Sequence, residues 1–128
     1  MIYLDSCAVV KLIRTEPEST ALMNRVFAAA ERIVTSELTI VETHRALIRC
    51  GCAEDSHNEA DGFFEDITIV ALAPVIRAAA RHPGQNLRSL DALHLATAMH
   101  LQPSAMITYD KRLASVAESA GLNVEDPR

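Results

Sequence analysis

Four acidic residues interrupt otherwise apolar stretches of this chain. Asp5 closes the run Ile2-Tyr3-Leu4, Glu42 lies inside Leu38–Leu47, Asp91 follows Leu90 in an Ala- and Leu-rich segment, and Asp110 follows Ala105–Tyr109. Carboxylates held together repel one another and resist joint ionisation. A divalent cation relieves that repulsion, and ligation by oxygen alone favours Mg²⁺ or Mn²⁺ over zinc. Such chemistry needs the four to meet, and residue type alone does not require it. Asp5 and Asp110 also read as helix N-caps, a common role for aspartate. Glu42 also reads as a helix-face charge near Arg45 and Arg49. Asp91 also reads as an acid favoured by the helix dipole near an N-terminus. Yet Leu90, Ala92, Leu93, Leu95 and Ala96 make its segment apolar nearly all round, and a charge there needs a reason. His94, one turn on from Asp91, reads as a packed core histidine; the alternative is a partner for Asp91 or for a metal.

The elements that must carry these residues follow from period and punctuation. Short apolar strands are predicted at Met1–Asp5, Ile33–Ser36, Thr68–Leu72 and Ala105–Tyr109, with an edge strand at Asn123–Glu125. Helices are predicted at Ser6–Ile13, Pro17–Arg32, Leu38–Arg49, Ala53–Asp66, Val75–Arg81, Ser89–Leu101 and Lys111–Ala120, with Pro83–Arg88 as a loop. Pro17 suits a first helical position. Gly51 and Gly121 stand where two helices must stop. Strands alternating with helices predict an α/β fold: a three-layer sandwich whose central, mostly parallel, short-stranded sheet is flanked by helices. Functional sites in such sheets gather at the carboxyl ends of the strands. Asp5 and Asp110 stand at such ends, and Thr108 shares the strand face of Asp110 if that strand runs on.

Composition bounds the rest. A chain of 128 residues with 49% hydrophobic residues predicts one domain, 1–128, with a real core. Aromatic residues are only 4%, so that core must be aliphatic. The net charge is −5, from 17 acidic residues against 12 Lys and Arg. That balance argues against a simple nucleic-acid-binding module. It does not argue against a site that carries divalent cations, because bound ions reverse the local charge. Three cysteines, Cys7, Cys50 and Cys52, form no disulfide framework and no complete metal-ligand spacing. No leader pattern and no apolar run of membrane-spanning length is seen, so a reducing, cytoplasmic setting is expected.

Each acid alone is ordinary, but their order along the chain is not. The segments Tyr3-Leu4-Asp5-Ser6-Cys7-Ala8, Ser36-Glu37-Leu38-Thr39-Ile40-Val41-Glu42, Leu90-Asp91-Ala92-Leu93-His94-Leu95-Ala96-Thr97-Ala98 and Ile107-Thr108-Tyr109-Asp110-Lys111-Arg112-Leu113 follow one another over almost the whole length. This pattern resembles the PIN-domain nucleases, and most closely the VapC-type toxins of bacterial toxin–antitoxin pairs. The later two motifs are the more specific. One departure is Cys7, where many relatives carry Ser or Thr.

The resemblance implies that Asp5, Glu42, Asp91 and Asp110 line one catalytic, metal-binding site for Mg²⁺ or Mn²⁺. Asp5 and Asp91 would be the most direct ligands, with Glu42 and Asp110 acting through water or on a second ion. The implied reaction is hydrolysis of RNA phosphodiesters, and the implied effect is inhibition of translation. Ser6 and Thr108 would hydrogen-bond the carboxylates or the phosphate. Arg14, Arg45, Arg88, Lys111 and Arg112 are candidates for phosphate contacts, although most such charges are simply solvated. The implied partners are an RNA substrate, a cognate antitoxin and a second copy of the chain. Rival readings are a housekeeping PIN nuclease in RNA processing and a catalytically silent PIN binding module. A phosphatase with Asp5 as nucleophile would favour a second Asp at position 7, where Cys7 stands.

Overall fold

Short apolar runs become the strands of one sheet in the computed structural model, which describes residues 1–128. The elements are β1 (Ile2–Leu4), α1 (Ser6–Ile13), α2 (Ser19–Ala28), β2 (Ile33–Ser36), α3 (Glu37–Arg49), α4 (Glu54–Asp66), β3 (Thr68–Val70), a 3₁₀ turn (Ala73–Val75), α5 (Ile76–Ala80), α6 (Ser89–Leu101), β4 (Ala105–Ile107), α7 (Lys111–Ser119) and β5 (Val124–Glu125). The strand order is β3-β2-β1-β4-β5, and every neighbouring pair is parallel. The chain first builds outward on one side of β1, through β2 and β3. It then crosses to the other side for β4 and β5, so the boundary between β1 and β4 is the topological switch point.

The pleat divides the core. Ile2, Leu4 and Ile107 point to one face, where they pack with Val9, Leu12, Leu22, Val26, Leu47 and Phe64 of α1 to α4. Tyr3 and Met106 point to the other, against Leu95, Ala98, Leu113 and Ala117 of α6 and α7. Register pairs Tyr3 with Met106 and Leu4 with Ile107, so Asp5 leaves the sheet level with the end of β4. Helices therefore cover both faces, and the sandwich has the expected three layers.

Several boundaries differ from the expectations, for local reasons. α2 starts at Ser19 rather than Pro17, because the Ser19 hydroxyl accepts the Glu16 N–H at 2.8 Å and donates to the Lys11 carbonyl at 2.6 Å. Those bonds fold residues 16–18 into a turn at the end of α1. α2 also ends early, at Ala28, with Ala30 at a left-handed φ of 50°. β4 ends at Ile107, so Thr108 and Asp110 do not alternate along a strand. Instead the Thr108 hydroxyl accepts the Asp110 N–H at 3.1 Å in a tight turn. Gly51 (φ 66°) and Gly121 (φ 89°) follow α3 and α7 in the left-handed conformation that stops a helix at no steric cost.

Candidate active site

Asp5 is 3% exposed and leaves β1 at the switch point. Its carboxylate caps α1 by accepting the Ala8 N–H at 2.9 Å. It also accepts the Cys7 thiol at 2.9 Å and the Thr108 hydroxyl. No Lys or Arg neutralises it. Burial pushes its carboxyl above the usual carboxylate range, while His94, Cys7, Thr108 and Ala8 pull the other way. The expectation for hydrogen-bonding neighbours therefore divides. Thr108 reaches Asp5, whereas the second contact comes from Cys7 and not from Ser6, which lines the neighbouring groove. Burial beside Asp5 pushes the Cys7 thiol up strongly, so it stays protonated and is no thiolate ligand.

Glu42 lies in the second turn of α3, whose start is capped by Ser36 at the end of β2. Its partner is neither Arg45 nor Arg49. The His94 Nε2 stands 2.5 Å from Glu42 Oε1, and the His94 Nδ1 stands 2.7 Å from the Tyr3 hydroxyl. Burial, with Asp5 and Glu42 nearby, pushes the Tyr3 phenol far up, so it is neutral and can donate. With Glu42 ionised, one proton arrangement satisfies every member: Tyr3 O–H to Nδ1, and Nε2–H to Glu42. His94 is packed, as a core histidine should be, at 2% exposure. It is also the connector of the site, a role that sequence reasoning missed. The signal available was its place one turn from Asp91 on a helix apolar nearly all round.

Asp91 sits in the first turn of α6 and Asp110 caps α7. The Asp91 carboxyl is pushed up, first by burial and then by the negative charge of Asp110, with Glu42 adding to it. His94 and the Arg88 backbone N–H pull it back. Asp110 Oδ1 accepts the N–H groups of Arg112 at 2.8 Å and Leu113 at 3.1 Å. Both aspartates thus fill the helix N-terminal roles read from the sequence, and Asp91 also feels the charge of Asp110.

The fold thereby links all four acids. Thr108 joins Asp5 to the Asp110 turn, and His94 bonds Glu42 and acts electrostatically on Asp5 and Asp91. No three His, Cys, Asp or Glu side chains stand close enough to enclose a metal ion. The donor chemistry still fits Mg²⁺ or Mn²⁺. The donors are hard oxygens, two of the carboxyls are held above their usual range by burial and, for Asp91, by the charge of Asp110, and the one nearby sulfur is a neutral thiol. Mg²⁺ keeps several waters and binds through one or two carboxylates plus substrate oxygen, so it needs no closed cage. Beside the acids, a groove of about 520 Å³ runs between α1 and α3, lined in part by Val10, Leu38, Val41, Glu42 and Leu90.

Comparison with known proteins identifies the family and the fold. Residues 2–119 match the model of the PIN domain family. Over 133 residues, the chain is 41% identical to Ribonuclease VapC35 of Mycobacterium tuberculosis, covering 99% of this chain and 97% of the relative. The crystal structure of M. tuberculosis VapC20, a Sarcin-Ricin loop cleaving toxin, superposes with a TM-score of 0.78 at 18% identity, covering 99% of this chain and 100% of that one. A toxin–antitoxin complex from Klebsiella pneumoniae superposes with a TM-score of 0.73 at 17% identity, over 100% and 98% of the two chains.

Proposed function

Because this chain belongs to the PIN domain family, we propose that it is a divalent-metal-dependent endoribonuclease acting as the toxin of a toxin–antitoxin pair. The observation that carries the reading is Asp5: a buried carboxylate at the switch point, without a cationic Lys or Arg, electrostatically joined to the other three acids through His94 and Thr108. Burying such a charge is costly unless something positive arrives to pair with it.

Asp5 and Asp91 would hold Mg²⁺ or Mn²⁺ directly, and Glu42 and Asp110 through water. Bound there, the ion supplies positive charge that acidifies water and screens the phosphate. The chain's own residues do the positioning. Thr108, Cys7 and the Ala8 N–H hold the Asp5 carboxylate in one orientation. His94, itself held by Tyr3, fixes Glu42. The N-termini of α6 and α7 hold Asp91 and Asp110 at the rim, where an RNA strand has access.

Cleavage of RNA by such a toxin would inhibit translation. The 520 Å³ groove suits an apolar antitoxin segment that ends in a basic side chain near Glu42. Exposed Ile76 on α5 and Met99 on α6 suit a homodimer contact. No helix is long and apolar enough to cross a membrane, and three free thiols fit a reducing cytoplasm. The test is RNA cleavage by the wild type and by Asp5→Asn, with Mg²⁺, with Mn²⁺ and with EDTA, read by sequencing the new 5′ ends. The expected result is discrete cleavage that needs the ion and falls to background in Asp5→Asn. Ion-independent cleavage, or full activity in a folded Asp5→Asn, overturns the reading.

A further inference from the structure

Outside the carboxylate cluster, two guanidinium groups share one open pocket. Arg88, from the loop before α6, and Arg112, from the first turn of α7, line a cavity of about 530 Å³ that Gln85, Asn86 and Leu87 complete. Both arginines are exposed. Lys11, Arg25 and Arg128 are ion-paired with Glu16, Glu18, Glu125 and Asp126, and Arg14 bonds the Cys50 sulfur. Arg88 and Arg112 are in none of these pairs.

Their backbones are tied to the candidate site. Arg88 is the N-cap of α6, whose first turn carries Asp91, and Asp110 accepts the Arg112 N–H at 2.8 Å. Each arginine therefore stands at the helix start that carries one of the acids, and two separate elements deliver both side chains to the same place. The arrangement puts two free cations beside two acids on a chain of net charge −5. A polyanion approaching four carboxylates is repelled unless nearby cations hold its flanking phosphates. Guanidinium is the group best matched to that task, because its planar fork bonds two phosphate oxygens at once. The Gln85 and Asn86 amides add donors and acceptors suited to a splayed base edge or a 2′-hydroxyl, as single-stranded RNA presents them.

We infer that the Arg88–Arg112 pocket is a phosphate-binding subsite for single-stranded RNA, holding the backbone next to the phosphodiester that is cut. The inference rests on the nuclease reading. It makes the two arginines binding residues, while the reacting phosphate stays with the acids.

The experiment measures a fluorescent single-stranded RNA by anisotropy across a salt series, in the Asp5→Asn background with Mg²⁺ present, and steady-state cleavage in the otherwise wild-type chain. Arg88→Ala with Arg112→Ala is expected to weaken binding and to flatten the slope of log K against log salt by about 0.7 for each phosphate no longer neutralised. KM should rise while kcat stays near wild type, the mark of binding made equally in ground and transition states. The double Lys variant should restore the salt slope. Arg32→Ala, at the opposite end of the sheet, should change neither quantity, and melting curves check that every variant folds. An unchanged slope and KM in the double Ala variant overturn the inference and leave the pair to another ligand, such as a protein partner. A fall in kcat at constant KM overturns it also. If the wild type neither binds nor cleaves RNA, the nuclease reading itself fails; cleavage by the wild type with indifferent arginine variants sinks the subsite alone.

Discussion

Two histidines of this chain sit in the middle of hydrogen-bonded relays, and the two relays differ mainly in burial. In the first, Tyr3, His94 and Glu42 connect β1, α6 and α3 beneath the site. In the second, His57, His44 and Asp61 connect α4 to α3 on the outside: His44 Nδ1 stands 2.7 Å from His57 Nδ1, and His44 Nε2 stands 2.7 Å from Asp61 Oδ1. The His44 and His57 rings lie within 5° of parallel with centroids 5.0 Å apart, the separation two coplanar rings need when their Nδ1 atoms face each other. An ionised Asp61 takes the Nε2–H of His44, so His57 donates across the pair. The chemistry of the relays is alike. Their stakes are not, because water can replace a lost partner around Asp61, which is 61% exposed, and cannot reach His94 at 2%.

The largest effect separating the relays should come from His94→Ala. It leaves the Tyr3 hydroxyl buried without its partner, opens a cavity, and frees Glu42 to move. A loss of about 2–4 kcal/mol in chemical denaturation is expected. Cleavage should fall about 10- to 100-fold, the range for removing a residue that orients a metal-site carboxylate. Normal stability and activity would mean that the buried relay has no more weight than the exposed one.

A second effect concerns pH, and its sign follows from the buried carboxyls. Asp5 and Asp91 are pushed above their usual range. A carboxyl raised in the folded state stabilises that state when protonated. The gain is complete below the unfolded value of about 3.9 and is lost as pH rises through the folded value. In EDTA, melting temperature should therefore rise as pH is lowered from about 7 toward 4. Glu18 and Glu31 are lowered, by Lys11 and by Ser104 with the N-terminus, and they oppose this trend, but they are solvent-screened. Asp5→Asn should be more stable than wild type at neutral pH without metal and should lose much of the slope. A wild type that weakens steadily on acidification would contradict the assignment of Asp5 as an unpaired buried carboxylate.

The smallest effect should come from the outer relay. His44→Ala and His57→Ala are expected to cost about 1 kcal/mol or less and to leave RNA cleavage unchanged. A loss of cleavage in either would show that the α3–α4 contact is coupled to Glu42.

Much of this fold could be read from local pattern. The strand Ile33–Ser36 and the helix Ser89–Leu101 have the bounds their composition predicts, and Gly51 and Gly121 end α3 and α7 as expected. These features depend on a residue and its near neighbours. The early end of β4 and the late start of α2 were not readable in the same way. Each depends on one hydroxyl, of Thr108 or Ser19, choosing between partners that only the folded chain brings within reach.

Sequence by itself supplied four acids in four ordered motifs, and the resemblance of those motifs to the PIN-domain nucleases implied one shared site. It also determined that Asp5 and Asp110 would cap helices, since capping is a matter of two or three residues. Tertiary structure alone decided the strand order that puts β1 beside β4, and with it the pairing of Asp5 with Thr108 across 103 positions of sequence. It also decided that Glu42 bonds His94, 52 positions away, instead of the arginines beside it in α3. The physical reason is the same in both cases. A buried polar group takes whichever partner the packed core leaves in reach, and that is set by the crossing of the sheet and not by spacing along the chain.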